Sequence, residues 1–318
     1  MKKRILSAFA LLVLLSCTSL WTARAQKFIF TPQWTAQAQF AGYYVAFEKG
    51  FYREAGLDVE IVHPNTSKSA LNRIRDNESQ ATTLQLCQAM EIIDSGVPLV
   101  NILQTSMNNA LVIVAREDVD PLELKGRRVG TWSVGFDQMA SCLSVKEGLD
   151  YQWVPFSSSG INLFLTGAID ATVAMSYNEL NQLRQAGVTI TDKNVYRFCD
   201  HGYNVQEDGV YMTKSYYEAH KEQARQFAEA SRRGWEWAAE HPDETLEIVM
   251  DYVNRYYIGT NRVMQKMMLD EILRLQVDRE SGQREFRLRP DMVELANNLM
   301  LEYQMILRKI PYEELTAR

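Results

Sequence analysis

The order of apolar and polar residues near the start of the chain predicts a strand, a helix and a second strand. Residues 28–30 form a short apolar run, and residues 57–61 alternate apolar and polar, as in a strand with one buried face. Trp34 follows the first predicted strand, at the edge where α/β proteins bind small molecules. Five aromatic residues between the strands fall at helical spacing and predict one amphipathic helix: Phe40, Tyr43, Tyr44, Phe47 and Phe51.

Alternating strands and helices continue along the chain and divide into two units, followed by a helical tail. Residues 28–116 contain repeated strand-helix units, and a strand at 128–132 opens a second series with its own β-α-β-α-β order. We expect crossings between the units near 116–121 and 207–213. The predicted fold class is therefore α/β, with two mixed sheets in a two-lobed clamshell that closes by hinge motion. The predicted lobes are 26–116 with the helical 210–318 (lobe 1) and 117–209 (lobe 2).

The first 25 residues have the composition of an export signal. A basic start is followed by an apolar run at 5–15, too short to cross a bilayer, and Ala23-Arg24-Ala25 resembles a cleavage site. Leu14-Leu15-Ser16-Cys17 offers a second route, because it resembles a lipoprotein box that would leave a lipid on Cys17. Both routes predict export to the periplasm or cell envelope, with membrane attachment only through that lipid.

Charge and cysteine content indicate which partners and how many disulfides to expect. The predicted leader holds four of the 34 basic residues and none of the 40 acidic ones, so 30 basic and 40 acidic residues leave the exported chain at −10. A chain this acidic is not expected to bind nucleic acid. Cys87, Cys142 and Cys199 are widely spaced, and we expect buried thiols with at most one disulfide.

No sequence pattern for catalysis is present. The chain lacks a nucleophile elbow, a P-loop, a GxGxxG motif and an HExxH motif, and its four histidines have no metal-ligand spacing. We therefore expect no catalytic residue, no metal ligand and no cofactor.

Two segments are candidates for ligand contacts, each with a purely structural alternative. Trp34 could stack on a flat ligand or could only fill the interior of its lobe. The Ser-Ser-Ser-Gly sequence at 157–160 could present hydroxyl and N–H groups to an anion. It could equally serve only as a helix cap.

Two further candidates follow predicted strands in the second half of the chain. Tyr177, Asn178 and Glu179 come directly after a buried strand, so that an aromatic ring, an amide and a carboxylate lie together at a strand end. Glu179 could accept hydrogen bonds from an aminopyrimidine-like edge, or it could only complement the dipole of the next helix. Glu207 and Asp208, at the second predicted crossing, could form a hinge turn, contact the ligand, or both.

Nine segments together resemble a known family, over roughly residues 28–257. They are Trp34, Phe40-Ala41-Gly42-Tyr43-Tyr44-Val45-Ala46, Lys49-Gly50-Phe51-Tyr52, Gly56-Leu57-Asp58-Val59, Leu124-Lys125-Gly126-Arg127-Arg128-Val129-Gly130, Gly167-Ala168-Ile169-Asp170-Ala171, Met175-Ser176-Tyr177-Asn178-Glu179, Glu207-Asp208-Gly209, and Phe227-Ala228-Glu229-Ala230-Ser231 leading to Gly234-Trp235. In this order they resemble the thiamine-pyrimidine-precursor family, substrate-binding proteins related to the alkanesulfonate-binding proteins. The resemblance implies a type II periplasmic binding fold. It also implies delivery of a formylaminopyrimidine or hydroxymethylpyrimidine ligand to the permease of an ABC importer.

The resemblance further implies roles for individual residues. Trp34 and Tyr177 would hold the ring, Glu179 would bind its amino group, and Glu207 or Asp208 would close the cleft. The full predicted ligand-binding set is Trp34, Tyr43, His63, Ser158, Ser159, Gly160, Tyr177, Asn178, Glu179, Glu207 and Asp208.

Two other functions are compatible with parts of this resemblance. One branch of the family is an enzyme, a thiamine pyrimidine synthase that uses pyridoxal phosphate, iron and a CCCFC motif, which this chain lacks. Alignment through Gly96-Val97-Pro98 places Leu84 where that enzyme has its cofactor-binding lysine and Gln88 where it has the histidine consumed in the reaction. Because neither side chain can do that chemistry, we expect a binding protein and not a synthase. A binder of sulfonates or other oxyanions is the third hypothesis, and it would depend on residues 157–160.

Overall fold

The computed structural model describes residues 27–65, 67–133, 135–157 and 159–316. The predicted leader with Cys17, and Ser158 of the predicted ligand-binding set, lie outside the described residues. Ten strands in the described part of the chain form two five-stranded sheets. The strands are β1 Lys27–Thr31, β2 Asp58–Ile61, β3 Ala81–Gln85, β4 Leu99–Gln104, β5 Leu111–Ala115, β6 Arg128–Trp132, β7 Gln152–Phe156, β8 Ala171–Met175, β9 Val195–Arg197 and β10 Asp208–Thr213.

Helices flank both sheets and form the C-terminal part of the chain. Local sequence fixes several of their starts: the Asn261 side chain accepts a hydrogen bond from the backbone N–H of Met264, and prolines occupy the first helical positions at 242 and 290. Short 3₁₀ turns lie at Ala38–Phe40, Pro121–Glu123 and Phe198–Asp200. The α-helices are α1 Ala41–Glu48, α2 Phe51–Glu54, α3 Ala70–Arg75, α4 Leu86–Asp94, α5 Gln138–Lys146, α6 Ile161–Leu165, α7 Glu179–Gln185, α8 Lys214–Ala219, α9 Lys221–Glu240, α10 Pro242–Arg255, α11 Arg262–Leu275, α12 Pro290–Glu302 and α13 Tyr312–Leu315.

Each lobe is built on one mixed sheet. The strand order is β2-β1-β3-β10-β4 in lobe 1 and β7-β6-β8-β5-β9 in lobe 2. In lobe 1, β1 runs parallel to β2 and β3, and β10 returns antiparallel between β3 and β4. In lobe 2, β6 is parallel to β7 and β8, and β5 is antiparallel to β8 and β9. The chain therefore crosses between the sheets at 105–110 and again at 201–207.

The first crossing lies earlier than the sequence predicts. The sequence analysis placed β5 in lobe 1 and the crossing near 116–121, but β5 pairs along its whole length with β8 of lobe 2. All five residues of β5 are buried and apolar, which suits a central strand in either sheet. A local pattern does not reveal which sheet such a strand joins, and the predicted boundary was wrong for that reason.

The C-terminal helices pack on both lobes, contrary to their predicted assignment to lobe 1. Helix α11 packs against the 3₁₀ turn Ala38–Phe40 of lobe 1 and against α7 of lobe 2. Helix α12 likewise contacts α4 of lobe 1 and α5 of lobe 2. The Asn108 side chain, in the first crossing, donates to the carbonyl oxygens of Leu275 and Val277 and ties that crossing to the end of α11. The C-terminal helices thus form a third connection between the lobes.

The aromatic segment after β1 is not one amphipathic helix. It is divided into the 3₁₀ turn, α1 and α2, with Gly50 at φ +79° between the two helices. All residues of α1 from Ala41 to Ala46 are buried, so this helix has no polar face, whereas the Phe47 side chain is 37% exposed. The prediction of one aromatic face was wrong because α1 is enclosed by the sheet, α9 and α10.

Neither a disulfide nor a membrane-spanning helix is present among the described residues. Cys87 and Cys142 are buried free thiols, as expected, whereas the free thiol of Cys199 is only half-buried. No helix in this part of the chain combines the length and apolar character needed to cross a membrane.

Candidate functional site

A cleft lies between the lobes, at the carboxyl ends of strands from both sheets. Trp34 follows β1, Trp132 ends β6, and Tyr177 follows β8. This is the edge of an α/β sheet at which ligands bind. The cleft is narrow and partly open to solvent. Its lining residues are Gln33, Trp34, Gln37, Gln39, Trp132, Phe136, Met175, Tyr177, Asn178 and Glu179.

Aromatic rings from the two lobes meet across this cleft. The ring centroids of Trp34 in lobe 1 and Phe136 in lobe 2 are 5.7 Å apart, with an interplanar angle of 87°. Phe136 is also 6.1 Å from Trp132, and Trp132 is 5.6 Å from Phe156. Edge-to-face pairs of this kind are favourable, so the rings form a continuous apolar wall from one lobe to the other.

His63 lies behind Trp34 and does not line the cleft. Its Nδ1 is 2.6 Å from the carbonyl oxygen of Trp34, and its Nε2 is 2.8 Å from the hydroxyl of Tyr44. A carbonyl oxygen only accepts, so Nδ1 carries the proton and Nε2 accepts from Tyr44. Burial lowers the pKa of His63 to about 4, although the bond to the Trp34 carbonyl opposes this shift. A neutral His63 therefore holds the loop that carries Trp34, and its predicted direct contact with the ligand is not supported.

Tyr43 also lies away from the cleft, in the core of lobe 1. It is fully buried, and its ring packs against Phe30 at 4.7 Å and against Trp235 at 5.6 Å. Burial, as the largest cause, raises the pKa of its hydroxyl well above the usual value. Tyr43 is therefore a packing residue outside the lining of the cleft, and its contact with a ligand stays a prediction.

Glu179 lines the cleft with its carboxylate only partly satisfied by the chain. One oxygen accepts the backbone N–H of Met175 at 2.9 Å, and the other accepts from Asn178 Nδ2 at 2.8 Å. Burial raises the pKa of Glu179 to about 7, and these two hydrogen bonds oppose the shift. Because each carboxylate oxygen can accept two bonds, capacity remains for a donor on a ligand.

Glu207 and Asp208 lie beneath the cleft, at the second crossing, and do not line it. Asp208 accepts hydrogen bonds from Gln33 Nε2 at 2.9 Å and from Gln39 Nε2 at 2.6 Å, and both glutamines line the cleft. The carbonyl oxygen of Glu207 accepts from the backbone N–H of Leu86 at 3.1 Å. Burial raises the pKa of both carboxyls. Asp208 therefore acts on the cleft through the two glutamines that it orients.

Replacement of Asp208 with asparagine tests this arrangement. An asparagine side chain has one acceptor oxygen where the carboxylate has two, so one glutamine amide would face another NH₂ group. We expect a loss of about 2 kcal/mol in the free energy of unfolding, measured by urea denaturation. Asp58→Asn, an exposed change on the edge strand β2, should stay within about 0.5 kcal/mol of wild type. Equal stability of the two variants would show that Asp208 does not hold the glutamines.

The residues at 157–160 do not reach the cleft, as far as the described residues show. Ser158 lies outside them. Ser159 is exposed, and its hydroxyl accepts a hydrogen bond from the backbone N–H of Ile161 at 3.3 Å. Gly160 is buried against Phe156, where a Cβ would come within 2.6 Å of the ring. This geometry favours the helix-start alternative over an anion site for Ser159 and Gly160.

Of the predicted set, the structure thus brings Trp34, Tyr177, Asn178 and Glu179 together at the cleft. The sequence analysis missed the glutamines Gln33, Gln37 and Gln39 and the rings Trp132 and Phe136. Trp132 could have been found by the argument used for Trp34, since it also ends a predicted strand. Gln39 lies in the 3₁₀ turn Ala38–Phe40, and Gln33, Gln37 and Phe136 lie outside regular elements, where periodicity does not predict the geometry.

The chemical character of the cleft is aromatic and rich in hydrogen-bond acceptors. None of its ten described lining residues is Lys, Arg or His. The Gln33 Oε1 atom is buried and has no hydrogen-bond partner among the described residues. No group of three or more His, Cys, Asp or Glu side chains in the described ranges is placed to hold a metal ion. A ligand with N–H or O–H groups would donate hydrogen bonds to both the Gln33 Oε1 atom and the Glu179 carboxylate.

Two lobes on separate mixed sheets, with a cleft at their strand ends, define the chain as a periplasmic-binding-protein fold. The solved periplasmic aliphatic sulphonate-binding protein SsuA of Escherichia coli has the same architecture, with a TM-score of 0.64, 11% identity and 92% of each chain covered. Within this class the chain belongs to the family described as NMT1/THI5 like, which matches residues 37–245. The predicted fold and family are both confirmed.

Two curated relatives are binding proteins by name. The formylaminopyrimidine-binding protein of Halalkalibacterium halodurans is 28% identical over 229 residues, which cover 68% of each protein. The riboflavin-binding protein RibY of Chloroflexus aurantiacus is 24% identical over 247 residues, covering 74% of this chain and 68% of RibY. The prediction of a binding protein, rather than the family's enzyme, is confirmed by these relatives.

Proposed function

We propose that this protein is the exported substrate-binding component of an ABC importer and captures a thiamine pyrimidine precursor for salvage. The observation that carries the proposal is the cleft itself, which combines an aromatic wall with buried acceptors and has no Lys, Arg or His among its described lining residues. A hydroxymethylpyrimidine or formylaminopyrimidine ligand is flat and presents amino-group donors. The name of the Halalkalibacterium relative supports the same ligand class.

In this proposal the lobes divide the recognition of the ring. Trp34 stacks on the heterocycle from lobe 1, and Tyr177 bounds it from lobe 2. Glu179 accepts from the exocyclic amino group, and Gln33 Oε1 accepts from a second donor. Asp208 holds Gln33 and Gln39 in place at the hinge, so that closure brings the two walls together around the ligand.

The same geometry disfavours the other two hypotheses. A sulfonate carries a full negative charge and is expected to need cationic or N–H donors, whereas this cleft offers a carboxylate and an unpaired amide oxygen. For the synthase, the decisive position is Leu84, which is buried within β3 opposite Gly209 of β10 and has no amine to bind an aldehyde. The Gln88 side chain instead accepts a hydrogen bond from the backbone N–H of Gln85 and so caps the start of α4.

A thermal-shift screen of the chain beginning at Gln26 tests the proposed ligand class. The panel should contain hydroxymethylpyrimidine, formylaminopyrimidine, thiamine, riboflavin, pyridoxal phosphate and an alkanesulfonate. A true ligand at about 100 times its Kd stabilises the folded state by about 2.7 kcal/mol, which raises Tm by several degrees. We expect that rise with the pyrimidines. If only the sulfonate or only riboflavin raised Tm, the ligand would belong to a class other than the pyrimidine precursors proposed here.

The raised pKa of Glu179 makes a prediction about stability. The folded-state pKa is about 7 against a usual value of 4.5, so the folded protein binds more protons than the unfolded chain within this interval. The resulting stabilisation is fully present below pH 4.5 and is lost as the pH rises through 7. We expect ligand-free wild type to lose about 2–3 kcal/mol relative to Glu179→Gln between pH 4.5 and pH 8, measured by urea denaturation.

The comparison with Glu179→Gln isolates this residue. Glu207 and Asp208 are also buried carboxyls with raised pKa values, and they titrate in both proteins. Their contribution cancels in the difference between wild type and variant. A difference that stays constant across this pH range would show that Glu179 titrates normally and is not buried in the ligand-free state.

A further inference from the structure

A second concave site lies behind the ligand cleft, where lobe 2 meets α11. It has an empty volume of about 730 Å³. Ser176 lines this second site, whereas its neighbours Met175 and Tyr177 line the ligand cleft. The two sites are therefore back to back, separated by the end of β8. Nothing in the proposed ligand capture uses the second site.

Four arginines from different elements converge on this second site. Arg184 lies in α7, Arg197 ends β9, Arg274 lies in α11, and Arg279 follows α11. Two carboxylates, Glu271 and Asp200, line the described part of the site with them. The formal charge of the site is thus +2, in an exported chain whose predicted net charge is −10.

The two carboxylates are already engaged by two of the arginines. Arg274 donates twice to Glu271, with N···O distances of 2.8 and 2.6 Å. Arg279 pairs with Asp200 at 2.8 Å. A bidentate or close pair of this kind uses the charge of both partners. Arg274 and Arg279 are therefore neutralised locally.

Among the described residues, neither of the other two guanidinium groups forms a close ion pair, although the carboxylates of Glu271 and Asp200 lie near enough to act on the charge of Arg197. Arg184 donates to the amide oxygen of Asn181 at 2.9 Å. The Arg197 side chain has neither an ion pair nor a hydrogen bond within the described residues, although it is half-buried. Burial first, and the nearby charge of Arg197 second, lower the pKa of the Arg184 guanidinium. Arg184 is exposed and Arg197 is half-buried, and their like charges oppose each other at this site. An anion between them would relieve that repulsion.

We propose that this arginine site binds a small, doubly charged oxyanion, a phosphate or sulfate group, between Arg184 and Arg197. Planar guanidinium groups bind such tetrahedral anions through paired N–H···O bonds. The site is independent of the ligand in the cleft.

The test compares anions at matched ionic strength and pH 7.5. Inorganic phosphate and sulfate should each raise the Tm of the ligand-free protein by about 5 °C at saturation, whereas sodium chloride should not. Arg197→Gln and Arg184→Gln should each abolish the rise, measured against the variant's own baseline. Arg75→Gln, an exposed arginine on α3, should keep it. An equal effect of chloride, or a full response in Arg197→Gln, would overturn the proposal.

Two further arms identify the source of the oxyanion. Glycerol phosphate represents a soluble phosphate monoester, and vesicles containing phosphatidic acid represent a lipid headgroup with the same phosphomonoester chemistry. If either one raises the Tm of wild type but not that of Arg197→Gln, the result supports the site and shows which of the two supplies the oxyanion. A response to vesicles that Arg197→Gln leaves intact, with no response to free phosphate, would contradict it. Binding of a pyrimidine in the cleft should keep the same Kd in Arg197→Gln.

Discussion

Replacement of Trp34 with alanine is expected to weaken binding of a pyrimidine ligand by about 10- to 100-fold. Stacking of a base on an aromatic side chain contributes about 1–3 kcal/mol, and each 1.4 kcal/mol is a factor of ten in affinity. The variant also loses the contact with Phe136, which joins the lobes across the cleft at 5.7 Å. The measurement is the ratio of calorimetric Kd values for hydroxymethylpyrimidine.

Trp153→Ala is the matched control. Trp153 lies on the edge strand β7, where its ring contacts Tyr151 at 5.2 Å and does not line the cleft. We expect its Kd to equal that of wild type. The Tm of Trp34→Ala should stay close to wild type as well, since the ring is only half-buried. An equal loss of affinity in both variants would show that Trp34 does not contact the ligand.

The largest effect on stability is expected for Gly234→Ala. Helices α1 and α9 cross closely, and a Cβ at position 234 would lie 2.1 Å from the carbonyl oxygen of Gly42. It would also lie 2.8 Å from the Cβ of Ala46. Because backbone atoms cannot move aside as a flexible side chain can, the helices must separate and disturb the core of lobe 1. We expect a loss of about 3 kcal/mol and a fall in Tm of roughly 10 °C.

Gly259→Ala controls for the general effect of adding a methyl group. Position 259 lies in the loop before α11, and a Cβ there has no atom within 4 Å. Its free energy of unfolding should remain within about 0.5 kcal/mol of wild type. If Gly234→Ala were as stable as Gly259→Ala, helices α1 and α9 could not cross as closely as the structure shows.

Much of the cleft could be predicted because strand ends are visible in sequence. Trp34 and the Tyr177-Asn178-Glu179 segment both follow buried strands, and the carboxyl ends of such strands meet at one edge of a sheet. Trp132 also ends a strand, so its place in the aromatic wall could be predicted in the same way. The three glutamines and Phe136 could not be found this way, because loop conformation and the orientation of Gln33 and Gln39 by Asp208 depend on contacts far apart in sequence.

The errors in the fold prediction have a common physical cause. The sequence pattern shows which residues are buried, but it does not show which partner buries them. The apolar strand β5 suits either sheet, and its pairing with β8 spans about 60 residues of chain. Tyr43 satisfies the spacing of one aromatic face of an amphipathic helix, yet α9 and α10 enclose that helix. Tertiary contacts therefore decided both outcomes.

The most direct test of the account is a calorimetric titration of the chain beginning at Gln26 with hydroxymethylpyrimidine and, separately, with an alkanesulfonate. The proposed function predicts saturable binding of the pyrimidine at one site per chain, weakened in Trp34→Ala and unchanged in Trp153→Ala, with no heat from the sulfonate. Saturable binding of the sulfonate with no response to the pyrimidine would contradict the proposed function.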